Sequence, residues 1–569
     1  MTESEHRRAL IAAWLCSAAL VTTLRFLNVA ELGYDLTLQI QAAQNLLAGK
    51  GLSVYKHAAP DLAEPAQLFT LTHFPAGFSL FTAALIALGA GVGTVVKVLG
   101  AAATMLGWWG WARLTDAFLG PDPQRGRVWR WVGLLIAVVT PLRYTPPWAG
   151  TDIALWAAVP WVLMWLVRAS DDTSPAAKWL DCATGAVCGL CLLMRYASLF
   201  LVVYAGCVML WQSRTRVASL ARRWAFFGLG FLPAFGVQFY VNYIVSNAPA
   251  RPGGLGSGDG ALGFMVHRAS EGLPLLGAAN YPWVFWLPGQ MVDFFTRADG
   301  AVAWRAGIVG AVFIAIVTWV AAYGVGGRDA ARDPRIVGAG LFVALPVVLW
   351  ACMTLSSYDY LADQRYYWPL VPLSALILYT YAAGTAAVKR WRMPALTYVA
   401  AYMMVGLLGI AALFGSGERG SAQRVRLIGT RSFDHWPSTK VTYDFYPSRG
   451  FVRALLDEQP GTLFLSSKTH WFLADSTIDQ SRILPLTCNG LPATWFSGPA
   501  RVVILSFDHP GPAQGLWAWT GKEEPERASC FERLPGLTLV RRFPLEGVKV
   551  LESRIPSGIS VGRPTGPVL

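Results

Sequence analysis

The apolar positions of this chain come in long unbroken runs, without the alternating or one-in-three spacing of elements that keep one face in water. A helix that crosses a hydrocarbon layer needs about 20 mainly apolar residues. Runs of that kind fall near 9–29, 94–112, 130–147, 153–169, 181–194, 197–212, 225–245, 303–324, 336–355, 366–388 and 394–414. Arg195 separates the fifth from the sixth, and both are short, which predicts tilted or kinked helices on either side of it. The first run follows a basic start. It lacks a convincing small-residue cleavage site and is long enough to span, so it reads as a retained first helix.

The stretch 74–90, FPAGFSLFTAALIALGA, is ambiguous by hydropathy, and the polar positions decide it. Arg113, Arg125, Arg127 and Arg130 form one basic cluster, and Arg214, Arg216, Arg222 and Arg223 a second. Arg328, Arg332 and Arg335 form a third, and Lys389, Arg390 and Arg392 a fourth. The positive-inside rule puts all four in the cytoplasm together with Arg7 and Arg8. That alternation holds only if 74–90 does not cross, so it is expected to be an interfacial or re-entrant helix on the outer side. The expectation is therefore about 11 spans, with the N-terminus cytoplasmic and the C-terminal region outside. Three outward loops, 30–93, 246–302 and 356–365, are long enough to build a site. The Gly-rich RPGGLGSGDGALG within 246–302 reads equally well as a lid or as a connector.

Beyond residue 420 the pattern changes. Strand-like runs appear at 462–467, 501–507, 537–543 and 548–553, after a helix-like FVRALLDEQ at 451–459. This predicts a small soluble α/β domain. The fold class expected is an α-helical polytopic membrane protein with that domain at its C-terminus. Its parts are a transmembrane domain over 1–414, an extracytoplasmic α/β domain over 415–555 and a disordered tail over 556–569.

Composition sharpens this only in part. Charged residues are 14% of the 569 positions, far below the roughly 25% of a soluble domain. The 25 Trp, 28 Phe and 19 Tyr suit aromatic belts at membrane interfaces. The net charge of +13 belongs to cytoplasmic loops and anionic headgroups and argues no nucleic-acid partner. Six of the eight cysteines lie in apolar segments, where they act as small hydrophobes. Cys488 and Cys530 lie in the C-terminal region. In an oxidising space they can pair as a disulfide.

Candidate chemistry gathers at helix ends on the outer side. Asp35 follows the first apolar run, where a partly desolvated carboxylate suits general-base work; an idle loop acid is the plainer reading. Asp152 opens a spanning run, as a functional acid does or as a helix cap does. Arg195 calls for an anion, with phosphate and headgroup snorkelling both open. Arg365 opens the run 366–388, where a cation opposes the helix macrodipole and invites an anion. Tyr366 beside it suits an aromatic belt. His73 fits contact with an acceptor or a phosphate as well as a structural role. No phosphate-binding glycine loop is present in the sequence.

Four stretches then carry a resemblance. GYDLTLQIQAAQNLLAGKGLSVY (33–55) is similar to the first-loop acid, helix and Gly-x-Gly turn of the GT-C superfamily of membrane glycosyltransferases. THFPAGFSLFTAALIALG, GAVCGLCLLMRYASLFL and RYYWPLVPLSALIL resemble, in order, that superfamily's Pro-containing segment, Gly-rich helix ending in a basic residue, and Arg-Tyr-x-x-Pro-x-x-Pro helix. Pro75 stands alone where many members have two prolines. The likeness is to the group of protein O-mannosyltransferases and aminoarabinose transferases, and it covers residues 1–414.

The resemblance implies inverting transfer of a hexose or pentose from a polyprenyl-phosphate donor to a lipid, glycan or protein acceptor. The setting it implies is the outer face of a bacterial inner membrane. It implies Asp35 as catalytic base, Asp152 as second acid, and Arg195, Arg365 and Tyr366 on the donor phosphate. No cofactor is required on this reading, with at most a weak dependence on a divalent cation. Two other classes compete. A transporter or flippase of lipid-linked sugars predicts inverted repeats and broken mid-membrane helices, and neither is visible. A polysaccharide polymerase or ligase predicts its key groups in one large outer loop, whereas here they are spread over several helix ends.

Overall fold

The computed structural model describes residues 34–56, 62–119, 151–170, 174–245, 333–356, 370–383, 447–466, 470–485, 498–507, 536–544 and 548–556, with scattered single positions besides. The chain divides into two compact units. The first comprises Met1–Val29, Thr72–Phe78 and Lys97–Gly429, and the second Ala30–Leu71, Ser79–Val96 and Thr430–Leu569.

Helices dominate the first unit. Four among the described residues are long and apolar enough to cross a membrane: Val92–Phe118, Ala177–Met194, Tyr196–Ser213 and Val217–Val245. The protein is accordingly a multi-pass membrane protein. In chain order the helices before the C-terminal region are α1 (Tyr34–Leu47), α2 (Gly77–Ala87), α3 (Val92–Leu119), α4 (Asp152–Arg168), α5 (Ala177–Met194), α6 (Leu199–Ser213), α7 (Val217–Phe239), α8 (Pro334–Ser356) and α9 (Leu370–Ala383). Helices α4, α8 and α9 coincide with expected runs. The expected spans at 130–147 and 303–324 lie outside the described residues, as does nearly all of 9–29 and 394–414. At 11 residues, α2 is about 16 Å long, half the thickness of a hydrocarbon core. It is too short to cross.

Lipid removes the hydrophobic drive between helices, so they associate through close packing. Helices α3 and α4 meet at glycines. A Cβ at Gly107 would enter the Trp156 ring, and one at Gly110 would meet Pro160 and Trp161. The indole N–H of Trp111 donates to Trp156 O at 3.2 Å and that of Trp161 to Leu106 O at 3.0 Å. Helix α6 meets α8 where the Tyr204 hydroxyl donates to Val337 O.

Helices α5 and α7 run parallel at a constant sequence offset of 42: Asp181 faces Arg223 at one end, and Tyr196 faces Gln238 at the other. Between these pairs, a Cβ at Gly185 would collide with the Phe227 carbonyl oxygen, so the backbones touch there. Arg223 corrects one expectation. The second basic cluster is not wholly a loop, because α7 already begins at Val217 and Arg223 is buried within it. Its guanidinium donates from Nε to Asp181 Oδ2 at 3.0 Å, from Nη2 to Asp181 Oδ1 at 3.0 Å and from Nη1 to Gln212 Oε1 at 2.7 Å. Every charge-bearing face is thereby satisfied, which a buried pair requires.

The second unit is built on a five-stranded sheet in the order β4-β3-β5-β7-β6. Its strands are β3 (Leu463–Ser466), β4 (Ile483–Pro485), β5 (Ala500–Phe507), β6 (Thr538–Phe543) and β7 (Val548–Ile555). Strand β3 pairs in parallel with β4 and β5, and β7 antiparallel with β5 and β6. All of β3 is buried, as a central parallel strand must be. Helix α10 (Pro447–Glu458) precedes the sheet, and the single turn α11 (His470–Leu473) follows β3. The four strand-like runs therefore form, while β4, at three residues, carries too little pattern to be read. Edge strand β6 has a bulge between Leu539 and Arg541, and Arg541 lies 5.1 Å from the ring centroids of both Phe451 and Phe543. Bulge and charge both blunt an exposed edge.

Residues Ala30–Leu71 belong to this same unit. Leu62 is part of the core that Leu465, Val502 and Ile504 form. The Ala66 N–H donates to Ser481 O at 2.9 Å, and Arg482 Nη1 to Ala63 O at 2.6 Å. Strands β1 (Ser53–Lys56) and β2 (Gln67–Thr70) pair antiparallel beside α1.

Candidate functional site

In the first unit the site forms where α5 ends. Met194 is the last helical residue, Arg195 is extended at φ −156° and ψ 123°, and a 3₁₀ turn over Tyr196–Ser198 leads into α6. The split read at Arg195 is thus a real break. Arg195 Nη1 forms an ion pair with Asp152 Oδ1 at the start of α4; the carboxylate side chain is 5% exposed and the guanidinium 14%. Two residues 43 positions apart, each singled out as a lone charge, are partners. Asp152 is the first helical residue of α4, and the N-cap residue before it, Thr151, makes no side-chain cap hydrogen bond.

Beside the pair, Tyr196 organises a polar patch. Its hydroxyl donates to Thr72 O at 3.1 Å and accepts from Gln238 Nε2 at 2.9 Å. Gln238 also donates to Asn242 Oδ1 at 2.9 Å and accepts from the Ala76 N–H at 2.8 Å. The segment Thr72–Ala76 is therefore held at both ends by side chains of α5's exit and α7. A Cβ on the next residue, Gly77, would meet the Leu193 backbone. His73 lies in this clamped segment. It is exposed, and its ring stands edge-on to Phe74 with centroids 4.9 Å apart. Helix α7 continues into a π-helical turn over Tyr240–Val245, the kind of irregularity often found at functional sites. Ser198 is 1% exposed, and among the described residues its hydroxyl has no hydrogen-bond partner.

Gln238 and Asn242 escaped the sequence reading, although a signal was there. Two amides one helical turn apart inside an apolar run are costly in lipid unless they bond each other or a neighbour. Tyr196 was hidden among the many interfacial aromatics.

In the second unit, Asp35 is in the first turn of α1 and half-buried. It is not a loop acid: a carboxylate there complements the helix macrodipole. Gln39 Nε2 donates to the Asp35 carbonyl at 3.0 Å. Helix α1 closes in a Schellman motif, with Lys50 N–H on Asn45 O at 2.8 Å and Gly49 N–H on Leu46 O at 3.1 Å. Gly49 and Gly51 have φ of 75° and 72°, the left-handed region that glycine enters without a Cβ penalty. This is the Gly-x-Gly turn of the sequence.

Arg365, Tyr366, Cys488 and Cys530 lie outside the described residues. Among the described residues no group of three His, Cys, Asp or Glu is placed to hold a metal ion.

No family model matches the chain, and no curated protein does. Among solved structures it is similar to ArnT from Cupriavidus metallidurans in the apo state, with 12% identity and a TM-score of 0.40 over 96% of this chain and 98% of that one. It is also similar to the same protein bound to undecaprenyl phosphate, with 14% identity and a TM-score of 0.38 over 95% and 97%.

Proposed function

We propose that this protein is a membrane glycosyltransferase that moves a sugar from a polyprenyl-phosphate donor to an acceptor hydroxyl on the extracytoplasmic face. The observation that carries the reading is the Arg195–Asp152 pair at the break between two membrane-length helices. A guanidinium fork matches the geometry of a phosphate, and the buried Asp152 carboxylate beside it holds the fork in one orientation. The ordered motifs of residues 1–414 support the same reading.

The roles follow from the chemistry. Asp35 takes the proton from the acceptor hydroxyl, whose oxygen attacks the anomeric carbon. The bond from that carbon to the phosphate oxygen breaks with inversion, and polyprenyl phosphate leaves. Charge grows on the leaving phosphate, and Arg195, Arg365 and Tyr366 stabilise it. Asp152 orients Arg195 as the second acid, and His73 contacts the acceptor or the phosphate. The reaction so written needs no cofactor. Eleven spans, a cytoplasmic N-terminus, an extracytoplasmic C-terminal domain with a Cys488–Cys530 disulfide, and a bacterial inner membrane complete the proposal.

The test uses purified protein in lipid with a panel of undecaprenyl-phosphate sugars and follows release of the free carrier phosphate, with and without a chelator. Release by the wild type that falls by about 10²-fold or more in a folded Asp35→Asn variant is the expected result. Equal release by both proteins removes Asp35 from the chemistry.

A further inference from the structure

The C-terminal sheet domain grips the helix that carries Asp35 by a chain of buried amides. Gln41 is 0% exposed and Gln480 5%. Gln41 Nε2 donates to Gln480 Oε1 at 3.2 Å, while Gln41 Oε1 accepts from the Tyr55 N–H at 3.2 Å. Gln480 Nε2 donates in turn to Leu473 O at 2.9 Å. One turn further along α1, Gln44 Nε2 donates to Ala474 O at 2.7 Å. Both ends of the Gln41 amide are therefore committed, one to the strand that follows α1 and one to the sheet domain. At 100° per residue, Asp35 sits about 120° around the axis from Gln41. Fixing Gln41 thus fixes the direction in which the Asp35 carboxylate is presented.

Nothing in a packing role for the domain requires this. An apolar pair would fill the same space without the cost of burying two amides. Amides instead specify one rotation and one register of α1, because a slipped helix leaves buried donors unmet.

We infer that Gln480 is a positioning residue for Asp35, so that the C-terminal domain is part of the catalytic apparatus rather than an appended module. The inference rests on the reading of Asp35 as the base. Its test compares full-length wild type, Gln480→Leu, Gln480→Glu and Asp35→Asn in the carrier-release assay, with hydrogen exchange measured on residues 34–47. Gln480→Leu is expected to lower kcat on the order of 10- to 100-fold, the cost of a small misplacement, with little change in donor KM. It is expected to speed exchange in α1 without altering exchange in α5 and α7. Gln480→Glu keeps the oxygen that Gln41 donates to but loses the donor to Leu473 O, and is expected to recover part of kcat. Unchanged kcat in Gln480→Leu, beside an inactive Asp35→Asn, overturns the positioning role and leaves the base in place. An equal loss in Gln480→Leu and Gln480→Glu with unchanged α1 exchange also overturns it. A fully active Asp35→Asn overturns the base itself, and with it any action of Gln480 through that residue.

Discussion

Arg223 and Arg195 are both arginines at the ends of apolar helices, yet their surroundings set them to different tasks. Arg223 spends its Nε, Nη1 and Nη2 groups on Asp181 and Gln212, with both charged side chains 2% exposed. Removing one partner leaves a buried charge unmatched, at a cost of about 3–5 kcal/mol. Arg223→Met is therefore expected to unfold at markedly lower temperature in lipid nanodiscs. The double variant Arg223→Met/Asp181→Leu recovers most of the loss, because it removes the charge as well as its partner. A double variant no more stable than the single one would mean that the pair contributes attraction beyond mutual neutralisation. Arg195 is more open, pairs with Asp152 at the start of α4 and sits on an extended backbone. These are the conditions under which a guanidinium can take up a second anion.

At the scale of elements, the α5–α7 pair is the frame on which the site of the first unit hangs. Its two ends are polar, Asp181 with Arg223 and Tyr196 with Gln238, and its middle is a backbone contact at glycines. Gly185→Ala must push α7 away, since its Cβ meets the Phe227 carbonyl, which cannot swing aside. Gly206 in α6 has nothing within 4 Å of where its Cβ would sit. Gly206→Ala is expected to stabilise by up to about 1 kcal/mol, the ordinary helix-propensity gain. Gly185→Ala is expected to destabilise by about 1–3 kcal/mol. Thermal unfolding of the two variants side by side checks the contrast; a shift of the same sign in both would show that α5 and α7 do not rely on that approach. Because Gln238 and Tyr196 lie at the far end of the same pair, Gly185→Ala should also loosen the hold on Thr72–Ala76.

For the whole molecule, the sheet domain adds a pH dependence of its own. Arg501 donates from Nε and Nη2 to Glu552 at 2.7 and 3.0 Å, and these hydrogen bonds hold the Glu552 carboxyl below the usual carboxylate range. A carboxyl lowered in the folded state contributes stability above its unfolded value and loses it as pH falls through the folded one. The pair is near the surface, so the contribution is about 1 kcal/mol or less. Arg501→Leu should therefore narrow the gap in exchange protection of β5 and β7 between neutral pH and pH below the carboxylate range. An undiminished gap would assign the acid sensitivity to another carboxylate. Acid loosening of this sheet also bears on α1, since Gln480 and Ala474 belong to the same unit.

Hydrophobic run length determined the membrane-spanning helices, because lipid leaves the backbone no partner but itself. The break at Arg195 was legible because its charge separates two short apolar runs. Short strand-like runs beyond residue 420 determined β3, β5, β6 and β7, and two glycines around Lys50 determined the turn that ends α1. What the sequence did not disclose is which distant polar groups meet. Asp152 finds Arg195, Asp181 finds Arg223, and Gln41 finds Gln480 across most of the chain. Asp152, Arg195 and Arg223 were each read alone, and Asp181, Gln41 and Gln480 drew no reading at all, since a residue's own neighbours say nothing about a partner brought by packing. The sheet's union with Ala30–Leu71 was hidden likewise: Leu62 and Ala66 look like loop residues until a sheet formed some 400 positions later supplies the core and the carbonyl they bind. Only the tertiary structure decides such pairings, because their energy comes from leaving water together, and no local pattern records that.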